Sequence, residues 1–128
     1  MQPPEDDVAA ALLARADDDI ALVRASVGLG EITDAIAGFH AQQAAEKLLK
    51  SVLARRRVSY PFTHDLERLL ELVEETLGES PPGEESIGAL TPWAVEFRYG
   101  EASEDDLDCS RTLALLDGLR AWVVDSLG

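Results

Sequence analysis

Three polar side chains recur at helical spacing in the second predicted helix. His40, Gln43 and Lys47 are three and four residues apart, so a helix places them on one face. An imidazole can transfer a proton, an amide can donate and accept hydrogen bonds, and an ammonium can bind a phosphate oxygen. The alternative is a helix face in contact with solvent, where a Glu46–Lys50 pair at i,i+4 stabilises the helix by about 0.3 kcal/mol. The spacing alone leaves both interpretations open.

The opposite face of this helix, which we predict from Asp34 to Arg56 with Thr33 as its N-cap, is apolar. Small residues dominate its first half, so neighbouring helices can approach closely there. The apolar positions are Ala37, Ala41, Ala44, Ala45, Leu48, Leu49 and Val52. We therefore expect the helix to pack through one face and to present hydrogen-bonding groups on the other.

A second group of candidate residues ends a helix predicted from Glu85 to Tyr99, which Pro92 either kinks or restarts. Arg98 can bind a phosphate in a bidentate manner, and Tyr99 can stack on a base. Together with the three side chains above, they would line a polar groove for a nucleotide or another small anion. The alternative is that Arg98 pairs with an acid such as Glu46 and only joins two helices.

Three further helices complete the predicted architecture. The first begins at Asp6 or Asp7 and is ended by glycine, and the last begins at Ser103. The third is predicted to have Thr63 as its N-cap, which places His64 in its first turn.

These helices and their short connections predict an all-α fold. We expect one domain over residues 1–128, an antiparallel up-and-down bundle of about five helices. Residues 1–5 are expected to form a frayed tail. Residues 78–84 contain two prolines and are expected to form a flexible loop.

Charged residues on the first and last helices lead to two predictions about pairing. Arg15 and Asp19 are expected opposite the apolar face of the first helix, where they can pair at i,i+4. Arg120 lies on the core side of the last helix and needs an acidic partner if it is buried.

The last helix also carries a second apolar strip, formed by Leu115, Leu119 and Trp122 at i, i+4 and i+7. A helix that is apolar on two sides is either enclosed by neighbours or contributes to an interface with a partner. The strip is therefore a candidate interface with a partner, and the alternative is that these residues belong to the core.

Composition restricts the classes of partner. The formal net charge is −14, from 25 acidic and 11 basic residues, so bulk attraction to nucleic acid is not expected. No apolar run approaches the roughly 20 residues needed to span a bilayer, and acids stand where a signal peptide would carry basic residues. We expect a soluble cytoplasmic protein without membrane contact. Cys109 is the single cysteine, no zinc-ligand spacing is present, and we expect no metal or other cofactor.

Three stretches together resemble the HEPN domain family over nearly the whole chain. They are residues 39–47 (FHAQQAAEK), 63–66 (THDL) and 90–99 (LTPWAVEFRY). The resemblance implies an up-and-down helical bundle that commonly forms a homodimer. It also implies a partner, because small HEPN proteins of this kind are often encoded beside, and bind, a minimal nucleotidyltransferase, in arrangements that include toxin–antitoxin pairs.

Many HEPN proteins are metal-independent ribonucleases, whose site resembles an Arg followed after four to six residues by a His. In this chain the corresponding positions after Arg98 are Ser103, Glu104 and Asp105, none of which replaces an imidazole near neutral pH. We therefore assign no catalytic residue.

Three hypotheses about function follow. The first is a non-catalytic HEPN subunit that forms a homodimer and binds a minimal nucleotidyltransferase. The second is a protein that binds a nucleotide or another small anion through His40, Gln43, Lys47, Arg98 and Tyr99. The third is a ribonuclease in which a displaced histidine, His40 or His64, acts with Arg98.

Overall fold

The computed structural model describes residues 4–94 and 107–128. Within these residues the protein consists of helices and their connections, which confirms the all-α fold. The α-helices are α1 (Pro4–Ser26), α2 (Asp34–Arg55), α3 (Leu66–Leu77), α4 (Glu84–Gly88) and α5 (Cys109–Leu127), with a 3₁₀ helix at Thr91–Ala94. None of the described helices is both long and apolar enough to cross a membrane.

Helix α2 lies at the centre of the bundle and contacts α1, α3, α5 and the 3₁₀ helix. It begins at the predicted residue, and the hydroxyl of Thr33 caps it by accepting a hydrogen bond from the Ile36 amide at 3.3 Å. Its apolar face is fully buried, as the sequence predicted. The buried side chains there include Ala41, Ala44, Ala45, Leu48, Leu49 and Val52. Small side chains allow α1 to pack closely along this helix.

Helix α1 begins at Pro4, so it overlaps the predicted tail at residues 4 and 5. Proline suits a first helical turn because the amide it lacks would have no partner there. The helix ends at Ser26, and Gly28 follows with φ 83°, a left-handed conformation that glycine adopts without a steric penalty.

Helix α3 begins later than predicted. Its N-cap is Asp65, whose carboxylate accepts hydrogen bonds from the amides of Glu67 and Arg68 at 3.0 and 3.5 Å. The hydroxyl of Thr63 instead accepts from the Asp65 amide. The prediction of Thr63 as N-cap was therefore wrong, because the Asp65 carboxylate satisfies two amides of the first turn. As a consequence His64 precedes the helix and belongs to the connector, which we define as residues 58–65.

The fourth predicted helix is interrupted. Helix α4 is short, and Pro92 lies in the 3₁₀ helix, so the chain restarts near the proline. A Cβ atom added to Gly38 of α2 would lie 2.2 Å from the Trp93 ring, which shows how closely this segment packs on α2. Arg98, Tyr99 and the predicted helix start at Ser103 lie outside the described residues.

Helices α1 and α5 are joined at the surface by two ion pairs. Arg120 donates two hydrogen bonds to the carboxylate of Asp17, at 2.5 and 3.1 Å, and Arg24 donates one to Asp117 at 2.9 Å. The hydrogen bonds from Arg120 to Asp17 raise the pKa of its guanidinium. Arg120 thus has an acidic partner, but its side chain is 40% exposed, so the burial for which the sequence analysis required such a partner is not observed.

Candidate functional site

The chain contains two histidines and two lysines, and all four bind buried carboxylates. Each carboxylate receives one imidazole and one ammonium group. We call the first group the Asp19 cluster, which comprises Asp19, His40 and Lys47. We call the second the Glu46 cluster, which comprises Gln42, Glu46, Lys50 and His64.

The Asp19 cluster joins α1 to α2. The Nδ1 atom of His40 lies 2.8 Å from Oδ1 of Asp19, and Nζ of Lys47 lies 2.6 Å from Oδ2. His40 and Lys47 are seven residues apart, which is two turns of α2, so both reach the same carboxylate. Asp19 is only 7% exposed, and two charge-assisted hydrogen bonds compensate for its burial.

The sequence analysis predicted the wrong side of α1 for Asp19. It does not lie opposite the apolar face beside Arg15 but faces α2. A signal for this placement is present in the sequence. Asp19 is three residues after the buried Ala16 and four before the buried Val23, so it occupies a core position of the helical repeat.

The hydrogen bond to Asp19 also fixes the chemistry of His40. An ionised carboxylate can only accept a hydrogen bond, so Nδ1 of His40 carries the proton and Nε2 is left as the second ring nitrogen. The edge of the ring packs against Phe39, with the ring centroids 5.3 Å apart and the planes at 84°. The His40 side chain is 28% exposed.

The Glu46 cluster joins α2 to the connector. Nδ1 of His64 lies 2.6 Å from Oε1 of Glu46, and Nζ of Lys50 lies 3.0 Å from Oε2, which confirms the predicted Glu46–Lys50 pair. The amide of Gln42 donates to Oε1 at 3.2 Å and to the His64 carbonyl at 2.9 Å. Burial acts to raise the pKa of Glu46, but the hydrogen bonds from His64, Lys50 and Gln42 outweigh it and hold the pKa below its ordinary value.

The connector continues along α2 beyond these hydrogen bonds. Nζ of Lys50 lies 5.6 Å from the ring centroid of Tyr60 and 5.9 Å from that of Phe62. The connector thus runs antiparallel to α2, with residues 60–64 against residues 42–50. The lengths agree, because eight helical residues rise about 12 Å and four extended ones span about 13 Å.

The predicted ligand-binding side chains are only partly brought together. His40 and Lys47 meet at Asp19, whereas the side-chain amide of Gln43 donates to Oε1 of Gln42 at 2.7 Å and so joins the other cluster. Arg98 and Tyr99 lie outside the described residues. Over residues 40–50 the polar face of α2 is therefore not a solvated surface, because its side chains bind groups of α1 and of the connector.

The candidate interface strip on α5 is divided as well. Leu119 is fully buried, so it belongs to the core and is not available to a partner. Leu115 and Trp122 pack against the core but stay partly exposed. Their part in an interface stays a prediction.

With this geometry established, comparison with known families identifies the HEPN domain. The HEPN domain model matches residues 9–127, almost the entire chain. The chain belongs to the HEPN family. Comparison with curated proteins gave no match, and comparison with solved structures gave none either.

In this HEPN domain the motif at residues 39–47 supplies three of the side chains that surround the two buried carboxylates, and it supplies Glu46 itself. Among the described residues, no group of three or more His, Cys, Asp or Glu side chains is arranged to hold a metal ion. The described polar groups are thus suited to hold helices and the connector in place and to keep an imidazole in a defined orientation.

Proposed function

We propose that this HEPN domain is a non-catalytic binding subunit that forms a homodimer and binds a minimal nucleotidyltransferase, an arrangement found in toxin–antitoxin pairs. The observation that carries the proposal is the pairing of both lysines with buried carboxylates. A site for a phosphate needs positive charge that is not already neutralised, and Lys47 and Lys50 are each bound to a carboxylate at 2.6 and 3.0 Å. This pairing argues against the nucleotide-binding hypothesis for the described part of the polar face.

The charge of the surface supports a protein partner. Five glutamates line a groove of about 330 Å³ between α3 and α4, around Leu70 and Gly88. They are Glu67, Glu71, Glu74, Glu84 and Glu85. Together with the net charge of −14, this surface repels nucleic acid and favours association with a basic protein surface.

The first test is capture of the tagged protein from its native host, with bound proteins identified by mass spectrometry and stoichiometry determined by light scattering. Recovery of a minimal nucleotidyltransferase with a dimer of this chain is the expected result. Recovery of the bare homodimer would count against the proposal. Titration with nucleoside triphosphates in a thermal-shift assay would then test the nucleotide hypothesis, since a ligand at 100 times its Kd adds about 2.7 kcal/mol of stability.

A second candidate function, a ribonuclease with a displaced histidine, is favoured by the geometry of His40. A carboxylate that fixes the Nδ1 proton and leaves Nε2 as a proton acceptor is the arrangement used to orient a general base. The test is cleavage of RNA by the purified protein, compared between wild type and His40→Ala. Cleavage that the substitution abolishes would favour the enzyme, whereas intact RNA in both samples would remove this candidate.

A further inference from the structure

One large apolar side chain has no cover at all. Within residues 4–94 and 107–128, Phe62 is 99% exposed, whereas the next most exposed large apolar residue, Leu29, is 50% exposed. A phenylalanine left in water forgoes the stabilisation that burial of its ring would provide. An aromatic residue in this position contributes little to the fold, so a role in the fold does not account for it.

The structure also holds Phe62 in place. On one side of it, Tyr60 packs against the core. On the other side, the backbone carbonyl and the imidazole of His64 are bound by Gln42 and Glu46. The preceding Pro61 fixes its own backbone φ angle. The ring centroids of Phe62 and His64 lie 6.3 Å apart, and Nζ of Lys50 lies 5.9 Å from the centroid of the Phe62 ring. Phe62 therefore projects from a connector that is anchored on both sides, which lowers the entropic cost of binding.

The surface that follows Phe62 along the chain is acidic. Asp65 and Glu67 are exposed, and Glu67 is also the first of the five glutamates in the groove between α3 and α4. Arg68, the exposed basic residue of this stretch, is paired with Glu71 of the same groove at 3.1 Å. Lys50 and His64, the nitrogen-bearing side chains close to Phe62, are both bound to Glu46. A protein that takes up Phe62 consequently needs an apolar pocket with basic side chains beside it.

We infer that Phe62 is the apolar anchor through which this HEPN domain binds its minimal nucleotidyltransferase, entering an apolar pocket bordered by Lys and Arg side chains. The inference rests on the proposed function, because it names the contact by which that partner is held. A second copy of this chain fits this surface less well, since contact there would bring two copies of the acidic groove close together.

The experiment measures the Kd of the purified HEPN protein for the nucleotidyltransferase recovered with it, by isothermal titration calorimetry, for wild type and three variants. Phe62→Ala removes the anchor, and Phe62→Tyr keeps the ring. Leu29→Ala is the matched control, an exposed apolar side chain in the turn between α1 and α2. Light scattering gives the oligomeric state of each variant, and circular dichroism verifies that each is folded.

We expect Phe62→Ala to weaken binding at least about 30-fold, as the loss of a central aromatic anchor does. Phe62→Tyr and Leu29→Ala should stay within about three-fold of wild type, since each keeps the anchor's ring. An unchanged Kd for Phe62→Ala would overturn the inference and leave the proposed function standing. A variant that becomes monomeric would also overturn it, because a second copy would then occupy Phe62. If wild type itself does not bind the nucleotidyltransferase, the proposed function fails and the inference fails with it.

Discussion

The two clusters use the same chemical groups to hold different parts of the molecule. The Asp19 cluster joins two long helices, with the carboxylate on α1 and both the imidazole and the ammonium group on α2. The Glu46 cluster has its acid and its lysine on α2 and draws its imidazole from the connector. The comparison shows that a buried carboxylate can serve either to pair helices or to hold a non-helical segment against a helix. The two uses should be separable by mutation.

The largest effect is expected for Glu46→Ala. The substitution leaves Lys50, whose side chain is only 11% exposed, without its carboxylate and removes an acceptor from Gln42 and His64. Breaking a buried pair in this way should lower the free energy of unfolding by about 3 kcal/mol, measured by urea denaturation. Glu75→Ala, at an exposed position of α3, is the control and should change it by less than about 0.5 kcal/mol. Equal effects of the two substitutions would show that burial of Glu46 does not matter.

Asp19→Ala should lower the free energy of unfolding by less, about 2 kcal/mol by the same measurement. The reason is that the partners of Asp19 have partial access to water, which lessens the cost of leaving a charge unpaired. The side chains of Lys47 and His40 are 22% and 28% exposed and can turn toward solvent once the carboxylate is gone. Asp18→Ala, at the adjacent exposed position, is the control and should be near neutral. A greater loss for Asp19→Ala than for Glu46→Ala would reverse the ranking of the two clusters.

For His64→Ala we expect a loss of no more than about 1 kcal/mol in global stability, since the His64 side chain is more than half exposed. The local effect should be clearer, because the connector loses its side-chain hydrogen bond to Glu46. Chymotrypsin should then cleave after Phe62 faster than in wild type under native conditions. His40→Ala serves as the comparison, because it acts on the other cluster and should leave that cleavage rate unchanged.

The smallest expected effect is a dependence of stability on pH. The pKa of Glu46 in the folded protein lies below its ordinary value of 4.5, so the folded state binds a proton at this site less readily than the unfolded state. The stability that Glu46 contributes is therefore fully present above pH 4.5 and is lost as the pH falls through the folded pKa. When the free energy of unfolding is measured by urea denaturation at a series of pH values, the difference between wild type and Glu46→Gln should become smaller below pH 4.5. A difference that stays constant on acidification would contradict the lowered pKa.

The long-range periodicity and the helix caps explain why α2 was predicted well. Helix α2 begins directly after its N-cap Thr33, and the apolar residues that repeat along it are buried by the neighbouring helices. The local sequence signals and the tertiary packing therefore agree. The N-cap of α3 was missed because Thr63 and Asp65 are both good caps, and the sequence does not rank them.

The candidate site was predicted less well than the fold. His40 and Lys47 were identified from their spacing on α2, but their shared partner Asp19 comes from another helix, and the sequence does not state which faces meet. Gln43 was grouped with them from the same spacing, but its side-chain amide donates to Gln42 of the Glu46 cluster. The approach of the connector to α2 depends on tertiary contacts that no local spacing encodes. Arg98 and Tyr99 remain predictions.

Pairing of both lysines has a practical consequence for chemical labelling. Lys47 and Lys50 carry the only ε-amino groups in the chain, and each is an ammonium bound to a carboxylate. Amine-reactive reagents attack the free amine, so coupling at either lysine in the folded protein requires that its hydrogen bond to the carboxylate first be broken. The rate of acylation at each lysine would then report separately how often each cluster opens.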